Sequence, residues 1–312
     1  MGLTFDDVGV RPVRSSQEFD SLRAKWASTP KKVIVKTVAD SPFIDNGFSK
    51  ISLMLRGAET GGGSCLAEHR FSLNAAVGSH YQTTEDEGFY VLEGKWEFLG
   101  GDVTRQVGPG EIIFAPMLRA HAFKCIDPNG GRILNWSTPA GHENFYVGMT
   151  DSRAAGENAR LVAAPRYHTV FPEFGELLDS GKEELPATAQ RVIKARADSL
   201  GEAAFISSGD TQSTTGVDVV ELIGDRLSGG RDSLFEIRSA ADQESVAFEP
   251  KDSDVSLYVI EGDWDIQAGT RQVKGGPAVV VFVPAGVGLK MRLVGDKAGK
   301  IVALCVPAQL HA

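Results

Sequence analysis

Short apolar runs broken by glycine and proline dominate the chain. Ile51 to Leu55, Ser64 to Phe71 and Phe89 to Leu92 are rich in aliphatic and aromatic residues and end near turn formers, which predicts strands. Val33-Ile34-Val35 opens the strand region, and Gly61-Gly62-Gly63 marks the turn between the strands at 51–55 and 64–71. From 80 to 139 strands and turns continue without helical periodicity. Residues 15–28 differ. Phe19, Leu22 and Trp26 share one helical face behind Ser15 and Glu18, a capping-box pair, so a helix packed on the sheets is expected. Residues 1–14 predict no element. The polar, Ala-rich stretch 148–190 predicts helical pieces near 155–162 and 172–181.

The pattern occurs twice. Gly94-Lys95-Trp96 returns as Gly262-Asp263-Trp264, Pro116 as Pro284, and Ile133 and Pro139 as Ile301 and Pro307, always 168 residues on. Leu66, Glu68 and Arg70 return as Leu234, Glu236 and Arg238 at the same spacing. Thr104 to Val107 reappears as Thr270 to Val273, two residues short, as a shortened turn would give. Such a period indicates tandem copies of one supersecondary unit. The chain reads as all-β with minor helices: two tandem β-barrels, at 1–147 and 192–312, joined by a helical linker at 148–191. Trp96 and Trp264 occur in both copies and are assigned to structure. His168, in Arg166-Tyr167-His168, is assigned to a linker that packs across the barrels.

Candidate chemistry lies in the first copy. His80 and Gln82 alternate on one strand face, Glu87 opens the next strand, and His121 lies on a later one beyond Pro116. Two imidazoles, a carboxylate and an amide oxygen can converge there as ligands of a divalent first-row metal. The second copy acts as an internal control. It carries Phe248, Pro250, Val255 and Leu289 at these four places. Their joint loss fits four side chains facing one cavity, polar in copy one and apolar in copy two. His69 becomes Ile237 between the retained Glu68 and Arg70. Alternation then puts 68 and 70 on the outer face and His69 inside, as an acid/base or metal-supporting residue or as a hydrogen-bonded core histidine. Phe89, Val91, Phe123 and Cys125 share the ligands' parity and form an apolar substrate wall or ordinary core. His142 is expected on an exposed loop, outside the site.

These stretches resemble the two signature motifs of the cupin superfamily. The first is His-x-His, four residues, Glu, six residues, Gly, matched by His80, Glu87 and Gly94. The second is Gly, five residues, Pro, then a His, matched by Gly110, Pro116 and His121. Gln82 departs from the second histidine, and an amide is the weaker, harder ligand. Thr138-Pro139-Ala140-Gly141 and Phe145 resemble the segment after the first barrel in bicupins similar to quercetin 2,3-dioxygenase, where it would cap the pocket mouth. The resemblance implies jelly-roll barrels and one iron, manganese, nickel, cobalt or zinc ion per chain, held by His80, Gln82, Glu87 and His121 of the N-terminal barrel. It implies a dioxygenase acting on a small phenolic or enolic compound, with Glu87 as ligand and proton acceptor and dioxygen as co-substrate. Two alternatives stay open: a non-redox isomerase, cyclase or lyase using the metal as a Lewis acid, and a non-catalytic ligand-binding bicupin. Bicupins often dimerise, so a homodimer is expected from the resemblance alone.

Composition narrows the partners. The 312 residues carry a formal charge of −9, which argues against nucleic acid and anionic membranes and leaves a small-molecule substrate. No apolar run approaches the ~20 residues of a membrane span, and Met1 to Asp7 lacks a basic-then-apolar leader pattern. Cys65, Cys125 and Cys305 are odd in number and without metal-ligand spacing, so buried free thiols in a reducing cytosol are expected.

Overall fold

The computed structural model describes residues 10–171, 203–207, 217–240 and 245–307. The helix expected near 172–181 lies outside them. Each copy is a pair of facing sheets, a flattened jelly roll and not a closed barrel. In copy one the larger sheet has seven strands, in the order Ala204–Ser207, Glu111–Ala115, Asp86–Glu93, Gly131–Thr138, Cys65–Phe71, Ser49–Leu55, Phe43–Asp45. Its smaller sheet has five, in the order Thr169–Val170, Ala76–Gln82, His121–Cys125, Trp96–Gly100, Val103–Val107. Copy two repeats this with a six-stranded and a four-stranded sheet. Register repeats too: His121 lies opposite His80, and Leu289 opposite Phe248. Trp96 and Trp264 each donate Nε1–H to the carbonyl three residues back, at 2.9 Å in both copies.

The copies exchange a strand. Ile34–Thr37, from the N-terminal part of the chain, pairs with Val279–Val283 on the edge of copy two's large sheet. Ala204–Ser207, which follows the linker in sequence, pairs with Glu111–Ala115 of copy one. Each jelly roll therefore closes an edge with a strand from the other half of the chain, satisfying backbone groups that an open edge would expose.

The outer faces of the large sheets meet each other, not water. Tyr90, Trp136, Phe114, Tyr258 and Phe282 belong to one buried cluster spanning both copies. Within it Tyr258 donates its hydroxyl to Glu68 Oε2 at 2.7 Å, and Tyr90 donates to Glu236 Oε2 at 2.8 Å. The two bonds are the same bond one repeat apart. Arg132 and Arg70 flank Glu68, while Arg238 and Lys300 flank Glu236. This explains why Glu68 and Arg70 recur in the sequence: their outer face is an interface.

The N-terminal helix runs Ser16–Trp26. Ser15 Oγ accepts from Glu18 N–H at 3.1 Å, and Phe19 and Trp26 are buried. After the last strand of copy one the chain does not stay a loop. It forms a helix at His142–Ala154, a short one at Ala159–Val162 and a 3-10 turn at Ala164–Tyr167. The helix expected near 155–162 is thus preceded by a longer one that periodicity did not reveal. Most of its N-terminal half is buried, polar residues included, so no clean apolar stripe marks it. Cys65, Cys125 and Cys305 are buried and free. Among the described residues, no helix is long and apolar enough to cross a membrane.

Candidate metal centre

His80 and His121 stand on paired strands of the smaller sheet, with ring centroids 4.3 Å apart. Glu87 reaches between them from the larger sheet. His121 Nε2 is 2.9 Å and His80 Nε2 3.8 Å from the same oxygen, Glu87 Oε2. The ligand atoms of the three residues lie within 4.8 Å of one another, and all three are buried. Their second nitrogens explain the arrangement. His80 Nδ1 is 2.9 Å from the Gly78 carbonyl, and His121 Nδ1 is 3.1 Å from the Arg119 carbonyl. A carbonyl only accepts, so each Nδ1 carries its proton, and each ring turns its Nε2 toward the carboxylate. Two imidazole nitrogens and a carboxylate oxygen converging in this way form a donor set that suits a divalent first-row metal.

Burial pushes the His80 imidazole down, and His121 beside it adds to this. Burial alone would raise the Glu87 carboxyl, but His142, His121 and His80 outweigh it and hold the group well below the usual carboxylate range. Gln82 is also buried at the cluster. Its Nε2 donates to Glu87 Oε2 at 2.6 Å, so the amide nitrogen, and not the expected oxygen, faces the carboxylate. Gly88, next in the strand, has no room for a side chain: a Cβ there would lie 2.0 Å from Trp136 Cζ2.

The other carboxylate oxygen has its own partners. Asn135 Nδ2 donates to Glu87 Oε1 at 2.9 Å, and Asn135 Oδ1 accepts from the Tyr146 hydroxyl. His142 Nε2 is 3.4 Å from Glu87 Oε1, and its Nδ1 is 3.3 Å from Glu85 Oε2. Both contacts are close enough for ion pairs. The second is misaligned for a hydrogen bond, and neither Glu85 oxygen has a hydrogen-bond partner. Burial opposes charge on His142, but Glu87 and Glu85 prevail and hold the imidazole above its ordinary value. The exposed loop expected for His142 is therefore corrected. Gly141, at φ +148°, turns the chain so that the next helix begins over the cavity and His142 points into it. Sequence reading missed Asn135, Tyr146 and Glu85. The repeat carries a signal for two of them, since Asn135 becomes Ala303 and Glu85 becomes Ser253.

A cavity of about 450 Å³ opens above the cluster. His80, Glu87 and His142 reach its floor; Phe71, Phe89, Phe123 and Phe145 line its walls. Val91 and Cys125, expected on that wall, lie instead in the packed core with Trp96 and Phe98. They share the inward parity but sit farther along their strands. His168 is away from the cavity lining, its Nε2 2.9 Å from Asp20 Oδ1, and it ties the linker to the first helix.

His69 lines the cavity with neither ring nitrogen hydrogen-bonded. Its ring stacks on Phe71 at 5.8 Å and meets the Tyr146 edge at 5.0 Å. Burial pushes its pKa down from 6.5 to about 3, so it is neutral. An unfolded His69 takes up a proton below about pH 6.5 that the folded one refuses until about pH 3. Its contribution to stability is therefore full above pH 6.5 and falls away as pH drops toward 3. Urea denaturation at pH 7 and pH 5 checks this: His69→Phe should lose less stability on acidification than the unchanged protein. Parallel losses would show that His69 is not held neutral.

Two tandem jelly rolls, with a two-histidine, one-carboxylate cluster in the first, define a bicupin. Residues 69–136 match the cupin domain family, and the fold of the chain is a bicupin fold. No curated protein sequence matches it. Among solved structures, a Trp-to-Phe variant of oxalate decarboxylase from Bacillus subtilis aligns with TM-score 0.60 and 12% identity, over 91% of this chain and 79% of that one. An oxalate decarboxylase structure describing a switch in reaction specificity aligns with TM-score 0.61 and 11% identity, over the same shares. A third, on the Mn(II) centres of the Bacillus subtilis enzyme, gives 0.57 and 12%, again over 91% and 79%. At such identities the likeness is one of fold. These neighbours are decarboxylases, so the likeness to quercetin 2,3-dioxygenase rests on the Thr138–Phe145 segment.

Proposed function

We propose that residues 1–147 carry one divalent first-row metal on His80, Glu87 and His121, with Gln82 beside it, and that the site is catalytic. Residues 148–191 join the halves, with Met149 and Phe171 among the cavity lining, and 192–312 are structural. The substrate is a small phenolic or enolic molecule, and the reaction is an oxygenation with dioxygen as co-substrate. The observation that carries this reading is the convergence of two imidazole nitrogens on one carboxylate oxygen on the floor of an aromatic cavity.

The metal, when bound, supplies Lewis acidity and, for a redox-active ion, a path for electrons to dioxygen. The remaining work belongs to the chain. Phe89 and Phe123 hold a flat ring and exclude water. Glu87 accepts the substrate hydroxyl proton, while Asn135 and His142 fix its second oxygen so that it stays oriented as the proton arrives. His69, neutral and unpartnered, offers the substrate one hydrogen bond.

A lyase without redox chemistry is the second reading, favoured by Gln82, whose weak field does not hinder Lewis-acid work, and by decarboxylase neighbours of the same fold. Oxalate itself, a small dianion, would leave most of a 450 Å³ aromatic cavity unfilled. Turnover of a phenol and enol panel by metal-reconstituted protein, with and without dioxygen, separates the two. Oxygen uptake matching product supports oxygenation; full activity under nitrogen assigns a lyase or isomerase; no turnover at full metal loading leaves a binding protein. Gln82→His should tighten metal binding about tenfold in a chelator competition, because an imidazole replaces an amide. Unchanged affinity would mean that position 82 does not reach the metal.

A further inference from the structure

His69 is a polar side chain that the fold itself does not require. Its ring is buried, and neither nitrogen has a hydrogen-bond partner. In the ladder it stands between Ile51 on one side and Ile133 on the other. Copy two carries Ile237 at the same place, between Val219 and Ile301, packed in an apolar core. One jelly roll thus closes over an isoleucine and the other over an imidazole. A buried polar group without a partner destabilises a fold, so packing alone favours the isoleucine.

The ring is also fixed in orientation. Phe71 stacks on it with 6° between the planes, and Tyr146 meets it edge-on. Tyr146 does not satisfy it, because the hydroxyl is donated to Asn135. Elsewhere on the lining Ser49 Oγ donates to Asn46 Oδ1 at 3.0 Å, so these two groups are committed to each other. His69 faces the same cavity as His80, Glu87, Phe89 and Phe123. Its strand lies two places from that of Glu87 in the seven-stranded sheet, about 10 Å at the backbone. A single ring held by Phe89 and Phe123 therefore has one edge at the ligand cluster and another toward His69. A neutral imidazole has one N–H and one lone pair, so it bonds a hydroxyl in either tautomer and a carbonyl through its N–H.

We propose that His69 selects substrates with two polar groups on one apolar ring: the first faces His80 and Glu87, and the second, a hydroxyl or carbonyl, hydrogen-bonds His69. This rests on the reading of the cluster as the reacting end; the unpartnered imidazole makes its own demand. A ring with a single hydroxyl would leave either the cluster or His69 unserved.

Calorimetric titration under nitrogen tests this with resorcinol against 3-methylphenol and hydroquinone against 4-methylphenol, the metal content of every sample being measured alongside. The members of each pair differ by a hydroxyl in place of a methyl, and neither diol can chelate one ion through both oxygens. In an apolar pocket without a partner the methyl compound binds tighter; at His69 the order inverts. At least one diol should bind about tenfold tighter than its methyl counterpart. The ratio should fall to within about twofold, or invert, in His69→Phe, while metal content stays unchanged. Equal binding within both pairs, tighter binding of the methyl compounds, no binding by either diol, or a preference that survives His69→Phe overturns the proposal. Should His69→Phe fail to fold, His69→Ile, the residue that copy two carries at this place, takes over the test. A His69-dependent preference in protein that never takes up metal would defeat the catalytic reading and leave the polar subsite standing. Turnover at full metal loading without any preference would do the reverse.

Discussion

His121→Ala is expected to lose metal and turnover together. The substitution takes one of two imidazoles from a three-residue cluster and leaves Glu87 Oε2 with only His80, 3.8 Å away, as an imidazole neighbour. Changes around a metal's ligands already cost 10–100-fold in affinity, so loss of a ligand should cost at least about 100-fold. Elemental analysis of untagged protein, followed by chelator competition, measures it. Phe248→His is the matching control. Its side chain would face Leu289 across the ladder, within a core shared with Val255, and find no second ligand. It should gain neither metal nor activity. Near-stoichiometric metal in His121→Ala, or metal gained in Phe248→His, would place the centre elsewhere.

Tyr90→Phe/Tyr258→Phe should destabilise the protein without touching the metal. Each lost hydroxyl removes a donor from a buried carboxylate, Glu236 in one case and Glu68 in the other. An unsatisfied buried acceptor costs about 1–3 kcal/mol, and the two sites are separate, so the pair should cost about 2–6 kcal/mol. At roughly 2 °C per kcal/mol for a chain of this size or a little smaller, the melting temperature should fall by about 4–12 °C. The single variants should match each other, since the bonds are one bond repeated. Metal content should hold, because this face of the sheet points away from the cavity. An unmoved melting temperature would mean that the copies are not held together here.

Much of this molecule is legible in one dimension. The 168-residue period needs no structure to be seen, and strand alternation assigns each residue to a side. Together they separate His80, Glu87 and His121, lost as a set in copy two, from Trp96, kept in both. The motif spacings add the jelly roll, because a fixed spacing between strands fixes which strands pair. The N-terminal helix was equally plain, since Ser15 and its apolar face are local signals.

Alternation states the side of a strand but not the depth along it. Phe89 and Val91 have the same parity, yet only Phe89 reaches the cavity, because the sheets close on each other below it. Alternation also says nothing of what covers an outer face, so Glu68 reads as solvent-facing until the other copy's Tyr258 is seen upon it. The exchanged strands Ile34–Thr37 and Ala204–Ser207 pair with partners 90 or more residues away, and no local pattern encodes the crossing.

The same limit applies to the site. Its ligands come from strands whose pairing the repeat and motifs record, so the sequence by itself determined the fold class, the duplication and the cluster. His142 and Tyr146 come from the helix packed across the strands, and only the tertiary structure could decide their place. Their positions depend on how the chain leaves Gly141 and where the next helix settles, which is fixed by packing in three dimensions and not by any period along the chain.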